Sequence, residues 1–293
     1  MPVELAIGFF DGVHLGHRRV IERTVKRARE QGARAVVFTF REHPRAVLGG
    51  SRAAPPLLTS RERRVALLRE MGVDEVVCVP FTSELARLEP AEFAARLRGR
   101  FPALDTVFCG ANWRFGAGGR GDARALRACG VKVCAVRHVI RGGLPVSSTR
   151  VRAALAEGDV ALAERLLGRE VEVLGRVVRG KGVGRQLGFP TLNVVPDCAG
   201  ALPCGVYAVR TEAGWGVANW GFAPTMGARA WTSPVWEIHL LEPPLAARPP
   251  AALAFAVKAR LRSERKFRSL AALQRAIESD RRAVVALAES GRG

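Results

Sequence analysis

Aromatic residues make up only 6% of this 293-residue chain, and Tyr207 is its sole tyrosine. Cysteine is also sparse. The six cysteines stand at scattered spacings, with no CxxC pair and no histidine cluster to complete a zinc site. We therefore expect reduced thiols, buried or half-buried, and a fold that depends on neither disulfides nor zinc.

Long hydrophobic runs are missing as well. Apolar stretches such as residues 35–40 and 251–257 are far shorter than the roughly 20 residues that cross a bilayer. The first twenty residues show no basic segment followed by a long apolar run, so the sequence gives no sign of a secretory signal. These features predict a soluble, cytoplasmic protein with no membrane partner.

Negative charge is scarce: 27 Asp and Glu face 46 Lys and Arg, for a formal charge of +19. Such an excess is typical of proteins that bind nucleic acid. Here, however, the positive residues are nearly all arginine and are spread along the whole chain, while the few lysines are isolated. We expect no specific nucleic-acid partner, and some of the charge is available for small phosphate-bearing substrates. A regulator that binds nucleic acid is the alternative that this charge supports.

The pattern of apolar runs changes near Gly168. Before it, short apolar runs alternate with amphipathic segments, which is typical of parallel strands joined by helices. After it, strand-length runs are separated by Gly and Pro, as in an antiparallel barrel, and Ser269 can cap a closing helix. The sequence predicts an α/β domain over residues 1–167 and a β-barrel domain over residues 168–293. The predicted strands are 4–8, 35–40, 75–80, 106–109 and 132–136 in the first domain, and 171–178, 205–211, 216–220, 235–241 and 252–261 in the second.

The first predicted strand runs into a turn, residues 8–17, that carries two of the five histidines in HxGH spacing. Glycine lets backbone approach a ligand, a helix start offers N–H donors to an anion, and imidazoles can hydrogen-bond a phosphate. Ordinary surface histidines are the less favoured interpretation. The candidate phosphate-contacting residues of this turn are Gly8, Phe10, His14, Gly16 and His17.

A second cluster of hydroxyls, in the segment 145–152, precedes a predicted helix. Ser147, Ser148 and Thr149 stand at its start, and Arg152 follows one turn later. Alone, this segment is better explained as an ordinary helix cap. Together with the HxGH turn, it favours phosphate binding.

In the second domain, a glycine-rich loop contains Lys181, Gly182 and Gly184 and leads into the segment Pro190-Thr191-Leu192-Asn193. Such backbone can wrap a phosphate, although barrels also use glycine for bends. Thr191 and Asn193 are two apart on an extended segment, so their oxygens share one side. This arrangement suits a hydrated Mg²⁺ ion.

Glu237 lies on a later predicted strand, where it shares one face with His239, while Trp236 and Ile238 share the other. Both polar groups can point toward a pocket. A solvent-facing strand residue is the alternative for Glu237.

The HxGH and SSTxxR motifs resemble the signatures of the nucleotidylyltransferase superfamily. With the glycine-rich loop, PTxN, Glu237 and the segment Arg262-x-Glu264-x-Lys266-Phe267, the chain is similar over essentially its whole length to the prokaryotic bifunctional riboflavin kinase and FAD synthetase family. The resemblance implies a Rossmann-like first domain that adenylylates FMN and a kinase-like barrel that phosphorylates riboflavin. It also implies ATP as co-substrate, Mg²⁺ as metal, and riboflavin, FMN and FAD as substrates or products. Retention of only one activity is the same-class alternative. A regulator on the same fold that binds flavin or nucleic acid is the alternative from a different class, and the positive charge is its only support.

The resemblance also assigns roles to residues. His14, His17, Ser148, Thr149 and Arg152 would bind and polarise the ATP phosphates, and Glu237 would be the base of the kinase. The flavin-binding candidates are His43, Asn112, Arg114 and Arg262. The chain departs from the family pattern at Arg41-Glu42, where an Asp-Pro pair is usual, at Asn112, where an acidic residue is usual, and in the segment 242–250.

Overall fold

The N-terminal strands form one parallel sheet, as predicted. The computed structural model describes residues 1–49, 54–180, 188–198, 200–222, 234–242 and 250–290. The strands of the first unit are β1 (Val3–Ile7), β2 (Arg34–Phe40), β3 (Glu75–Val79), β4 (Leu104–Gly110) and β5 (Lys132–Val136). Their order is β3-β2-β1-β4-β5, so β1 is central. The carboxyl ends of all five strands meet at one edge, which is where open α/β sheets bind ligands.

Helices cover both faces of the sheet, and the sheet separates two cores. They are α1 (Leu15–Glu30), α2 (Pro44–Leu48), α3 (Arg61–Glu70), α4 (Ser83–Arg87), α5 (Pro90–Arg100) and α6 (Ala123–Ala128), followed by a hairpin of β6 (Ile140–Arg141) and β7 (Leu144–Pro145). Side chains alternate across the strands. Leu5 joins Phe93 of α5 in one core, whereas Ala6 joins Val20 and Ile21 of α1 in the other.

The second unit is a closed antiparallel barrel with a closing helix, which confirms the predicted fold class. Its strands are β8 (Val171–Val178), β9 (Leu192–Pro196), β10 (Gly205–Thr211), β11 (Gly214–Gly221), β12 (Val235–Leu240) and β13 (Ala252–Arg262). Around the barrel the order is β10-β11-β12-β9-β8-β13. β9 was not among the predicted strands, although the segment that carries Thr191 and Asn193 was expected to be extended. The closing helix is α9 (Leu270–Ser290).

Four of the chain's few aromatic side chains meet in the barrel. The Trp236 ring stacks on Trp220 at 4.9 Å and meets Tyr207 and Phe255 edge-on at 5.4 and 5.3 Å. All four residues are buried. The scarcity of aromatics therefore does not prevent an aromatic core here, because the available rings are concentrated in one place.

The chain divides into two compact units, Met1–Ser148 and Thr149–Gly293. Two helices, α7 (Ser148–Glu157) and α8 (Val160–Leu167), precede the barrel strands. Helix α8 packs on β13 and β8, and Lys258 of β13 lies 3.1 Å from the carboxylates of both Glu164 and Glu170. The functional boundary near Gly168 stays a prediction, and α8 is structurally part of the barrel unit.

All six cysteines are free, and each is buried or partly buried, as expected. Burial raises the pKa of Cys109 to about 11, so this thiol is protonated and unreactive near neutral pH. Within the described ranges, no helix is long and apolar enough to cross a membrane.

Candidate active sites

The turn that follows β1 has an unusual backbone. Phe10 and Val13 adopt φ values of 56° and 39°, and Gly12 between them has φ 80°. Positive φ is uncommon for residues other than glycine, and it is costly for a β-branched residue such as Val13. The turn lies at the carboxyl edge of the sheet, where ligands are expected, so this strain is consistent with a functional site.

Asp11 connects this turn by hydrogen bonds to the segment just before α3. The carboxylate is 2% exposed and accepts hydrogen bonds from the backbone N–H groups of Leu58, at 3.0 Å, and Thr59, at 3.3 Å. In return, the N–H of Gly12 donates to the Thr59 hydroxyl at 3.2 Å. A buried carboxylate is tolerated when it is hydrogen-bonded in this way.

His14 caps its own helix. Its Nδ1 accepts from the N–H groups of Gly16, at 3.1 Å, and His17, at 3.3 Å, and its ring stacks on the His17 ring at 3.6 Å. The prediction that the start of α1 offers its N–H groups to an anion was wrong for these two groups, because His14 accepts from both. Since Nδ1 is the acceptor, the neutral imidazole carries its proton on Nε2.

The start of the second N-terminal motif, at Ser147 and Ser148, lies at this turn. The Ser148 hydroxyl donates to the Asp11 carbonyl oxygen at 2.9 Å, and Ser147 beside it is half-buried. Thr149 and Arg152 follow on the first turns of α7, which begins at Ser148. Ser148 and Arg152 are four residues apart and share one face of that helix.

Of the remaining predicted residues near β1, Phe10 is a core residue. Its ring is 3% exposed and packs with Ala6 and Val20, and it lies close against the backbone of Gly8. Any ligand contact at Phe10 therefore involves its backbone and not its ring.

The flavin-binding candidates of the first unit follow β2 and β4. His43 caps α2 by accepting from the Arg45 N–H at 3.1 Å, and its ring meets Phe9 edge-on at 4.9 Å. Asn112 is exposed, and Arg114 pairs with Asp122 at 3.1 Å. Because β2 and β4 flank β1, all three candidates leave the same edge of the sheet as the histidine turn.

In the barrel, three polar residues stand opposite one another on neighbouring strands. Glu237 of β12 pairs in register with Asn193 of β9 and with Asn219 of β11. The predicted alternation is confirmed, since Trp236 and Ile238 are buried while Glu237 and His239 are only partly so. Burial, and then the neighbouring Glu264, raise the pKa of Glu237. A carboxylate with a raised pKa is a better proton acceptor, which suits a general base.

The metal candidates lie beside Glu237. Asn193 is the second residue of β9, and Thr191 is exposed just before the strand. A side chain at Gly180 would overlap the Asn193 amide. His239 Nδ1 lies 3.0 Å from the Pro190 carbonyl oxygen, which ties this segment to β12. The available donors are all oxygens, the ligands that Mg²⁺ prefers. Lys181, Gly182 and Gly184 lie outside the described residues.

The sequence analysis gave no role to Glu264. Its carboxylate accepts from the Asn219 amide at 3.4 Å and lies so close to β11 that any side chain at Gly221 would overlap it. The segment Arg262-x-Glu264-x-Lys266-Phe267 had singled it out only as part of a motif, and its proximity to Glu237 depends on the pairing of distant strands.

Arg262, predicted to bind flavin, is held by the closing helix. Its guanidinium makes a paired contact with the buried Asp280 of α9, with the shortest distance 2.8 Å, and Nη1 donates to the Ser263 carbonyl. A cavity of about 440 Å³ opens next to it, lined by Arg265, Lys266, Phe267, Arg268 and Arg275, among others. Four cationic side chains around one aromatic ring suit an anionic ligand with an aromatic group.

A histidine-bearing turn at a parallel-sheet edge and a carboxylate–amide row on a closed barrel define a two-domain transferase of phosphate-containing groups. Family models agree: the model for FAD synthetase matches residues 2–150, and that for riboflavin kinase matches residues 167–288. The chain belongs to the bifunctional riboflavin kinase/FMN adenylyltransferase family.

Relatives with that name match the chain over nearly its full length. The protein from Pseudomonas fluorescens is 38% identical, over 96% of this chain and 92% of its own. Those from Escherichia coli K12 and Bacillus subtilis 168 are 34% and 32% identical, over 94% and 96% of this chain and 90% and 91% of their own. A crystal structure titled as a macrolide-efflux protein from Streptococcus pneumoniae superposes with a TM-score of 0.81 at 26% identity, over 97% of this chain and 94% of that one.

Proposed function

We propose that this chain makes both flavin cofactors: the barrel unit phosphorylates riboflavin to FMN, and the N-terminal unit adenylylates FMN to FAD. ATP is the donor in both steps. The observation that carries the proposal is that each unit contains its own phosphate-compatible site, the His14–His17 pair in one and the Asn193–Glu237–Asn219 row in the other.

In the kinase step, Glu237 takes the proton of the ribityl 5′-hydroxyl. The hydroxyl oxygen then bonds to the γ-phosphorus of ATP while the bond to the β-phosphate oxygen breaks, releasing ADP. Arg262 is the flavin-binding candidate of this unit, and Lys181, Gly182 and Gly184 are the candidates for binding the ATP phosphates.

Thr191 and Asn193 would hold Mg²⁺, because a hydroxyl and an amide oxygen match the preference of that ion. When bound, the ion neutralises charge on the transferred phosphate. The chain's own residues keep the remaining tasks: Asn193 lies in register with Glu237, so metal ligand and base are adjacent.

In the adenylylation step, a phosphate oxygen of FMN bonds to the α-phosphorus of ATP, and pyrophosphate leaves. His14 and His17, with Ser147, Ser148, Thr149 and Arg152, stabilise the charge that develops on the phosphates. Gly8, Phe10 and Gly16 contribute backbone, and His43, Asn112 and Arg114 contact the flavin. The functional boundary lies near Gly168, and the enzyme works in the cytoplasm on small-molecule substrates.

The test is a time course with purified protein, riboflavin, ATP and Mg²⁺, in which the flavins are separated chromatographically, with a parallel reaction started from FMN. FMN followed by FAD supports both activities. FMN alone refutes the adenylylation assignment, and FAD formed only from supplied FMN refutes the kinase assignment. If neither FMN nor FAD forms in either reaction, the proposal is overturned. A reaction without ATP is the control.

A further inference from the structure

Arg64, on the first turn of α3, is 0% exposed. Its Nη2 donates to the Phe40 carbonyl oxygen at 2.6 Å, but Nε and Nη1 have no hydrogen-bond partner in the part of the chain that the structure describes. An unpaired buried donor is destabilising. A methionine would fill the same space without that penalty, so packing alone does not account for an arginine here.

The guanidinium lies on the face of Phe9, with 4.3 Å between its central carbon and the ring centroid. This is a cation–π contact in a desolvated setting, where such contacts are strongest. The Phe9 ring in turn meets His43 edge-on at 4.9 Å, and the Phe9 carbonyl accepts from the Thr39 hydroxyl at 3.1 Å. Arg64 therefore links α3 to the turn after β1 and to the carboxyl end of β2.

The helix that carries Arg64 begins next to the histidine turn. Its start is tied to that turn by the hydrogen bonds of Asp11 and Gly12 with Leu58 and Thr59. Burial lowers the pKa of Arg64, and the nearby Cys78 and Asp11 partly offset this effect. A fixed cation is thus built into the layer beneath the site.

We propose that Arg64 is a positioning residue for adenylylation: through Phe9 and the end of β2 it holds His43 in the orientation that receives FMN. This inference rests on the proposed function, in which His43 contacts the flavin. Arg64 takes no part in the cap hydrogen bonds of His14 or in its stacking on the His17 ring. The effect of Arg64 therefore falls on FMN more than on ATP.

The experiment compares R64M and R64K with a matched control, R69M, which removes an exposed arginine from the same helix. KM and kcat for adenylylation are measured against FMN and against ATP in the full chain, and riboflavin phosphorylation is measured on the same samples. R64M should raise KM for FMN about tenfold, as expected when a desolvated cation–π contact is lost. KM for ATP and riboflavin phosphorylation should stay within about twofold of R69M. R64K retains a cation and should recover most of the FMN affinity.

An R64M enzyme with the same KM for FMN as R69M would overturn the inference, as would equal effects on FMN and ATP. If R64M fails to fold, F9L decides, because it removes the ring and leaves the arginine. F9L should raise KM for FMN selectively, and an unchanged KM refutes the inference. If the unaltered chain does not adenylylate FMN, the proposed function itself fails. Failure of the proposed function can therefore be distinguished from failure of the inference about Arg64.

Discussion

Glu237 is the residue on which the kinase assignment depends most. Glu237→Gln removes the proton acceptor while preserving size, so we expect FMN formation to fall on the order of a hundredfold or more. Adenylylation of supplied FMN should remain within about twofold, because that step uses the other unit. Both rates can be read from one chromatographic assay, and loss of both in a folded variant contradicts the role.

The pH dependence of the kinase gives a second readout of Glu237. The pKa of this carboxyl is raised by burial and by Glu264, and a base must be ionised to act. The rate should therefore decline, as pH falls, at a higher pH than an exposed glutamate with a pKa of about 4.3 would cause. Glu264→Gln removes one of the two causes and should move the decline to lower pH, and an unshifted profile would contradict the assignment.

His14 caps α1 through Nδ1, and in the proposed function it also stabilises the phosphates of ATP. His14→Ala loses both, whereas His14→Asn keeps an oxygen that can accept from the helix N–H groups. We expect both variants to lose adenylylation about a hundredfold or more, and only the alanine variant to lose about 1 kcal/mol of stability. Steady-state rates and urea unfolding measure the two effects. If His14→Asn adenylylates FMN at the full rate, His14 serves only as a helix cap.

Glu4 is a buried acid that the proposed chemistry does not use. It is 0% exposed in the central strand, and burial, with the charge of Asp105, raises its pKa. Its ionisation therefore opposes folding: stability is full below the unfolded-state pKa and is lost as pH rises through the raised folded-state pKa. Glu4→Gln should match the parent at low pH and exceed it by about 1–3 kcal/mol above that window. Urea unfolding across pH measures this, and an equal effect at every pH refutes it.

At the scale of elements, α9 is fastened to the barrel by one buried ion pair. Asp280 lies on the same helix face as the buried Ala276 and Val284 and pairs with Arg262. Asp280→Ala leaves that guanidinium unpaired and should destabilise the barrel by about 3 kcal/mol. Glu278→Ala, which breaks exposed pairs on the same helix, should cost less than about 1 kcal/mol. Urea unfolding followed by tryptophan fluorescence compares them, and equal losses contradict the argument.

β9 was not predicted as a strand, although it positions one of the candidate site residues. It pairs with both β8 and β12 and places Asn193 in register with Glu237. The metal candidate and the base become neighbours only when these strands pair. The local sequence predicted both residues and their chemistry, but not their adjacency.

At the scale of the whole molecule, the position of α8 can be tested with fragments. A barrel fragment that starts at residue 168 lacks the buried Leu166 and Leu167 and the Glu164 partner of Lys258. We expect it to melt on the order of 10 °C below a fragment that starts at residue 149, since each buried leucine contributes about 2 kcal/mol. A fragment from residue 160 separates the effect of α7, and equal melting temperatures would contradict the packing argument.

Local pattern was enough to predict the parallel sheet, the barrel and the closing helix. Apolar runs, their spacing and the Gly and Pro between them specify strands and helices, because these signals act within a few residues of one another. The same reasoning singled out His14, His17 and Glu237, since their spacing on a turn or strand predicts which side chains share a face.

Only the tertiary structure decided how those residues are used. It showed that His14 occupies the N–H donors expected to be free, that Arg262 is held by Asp280, and that Phe10 is part of the core. It also buried Arg64 beneath Phe9, although its sequence neighbourhood reads as an ordinary charged helix. Each of these facts depends on groups brought together from distant positions or on the exact path of a turn, and hydrophobic periodicity carries no information about either.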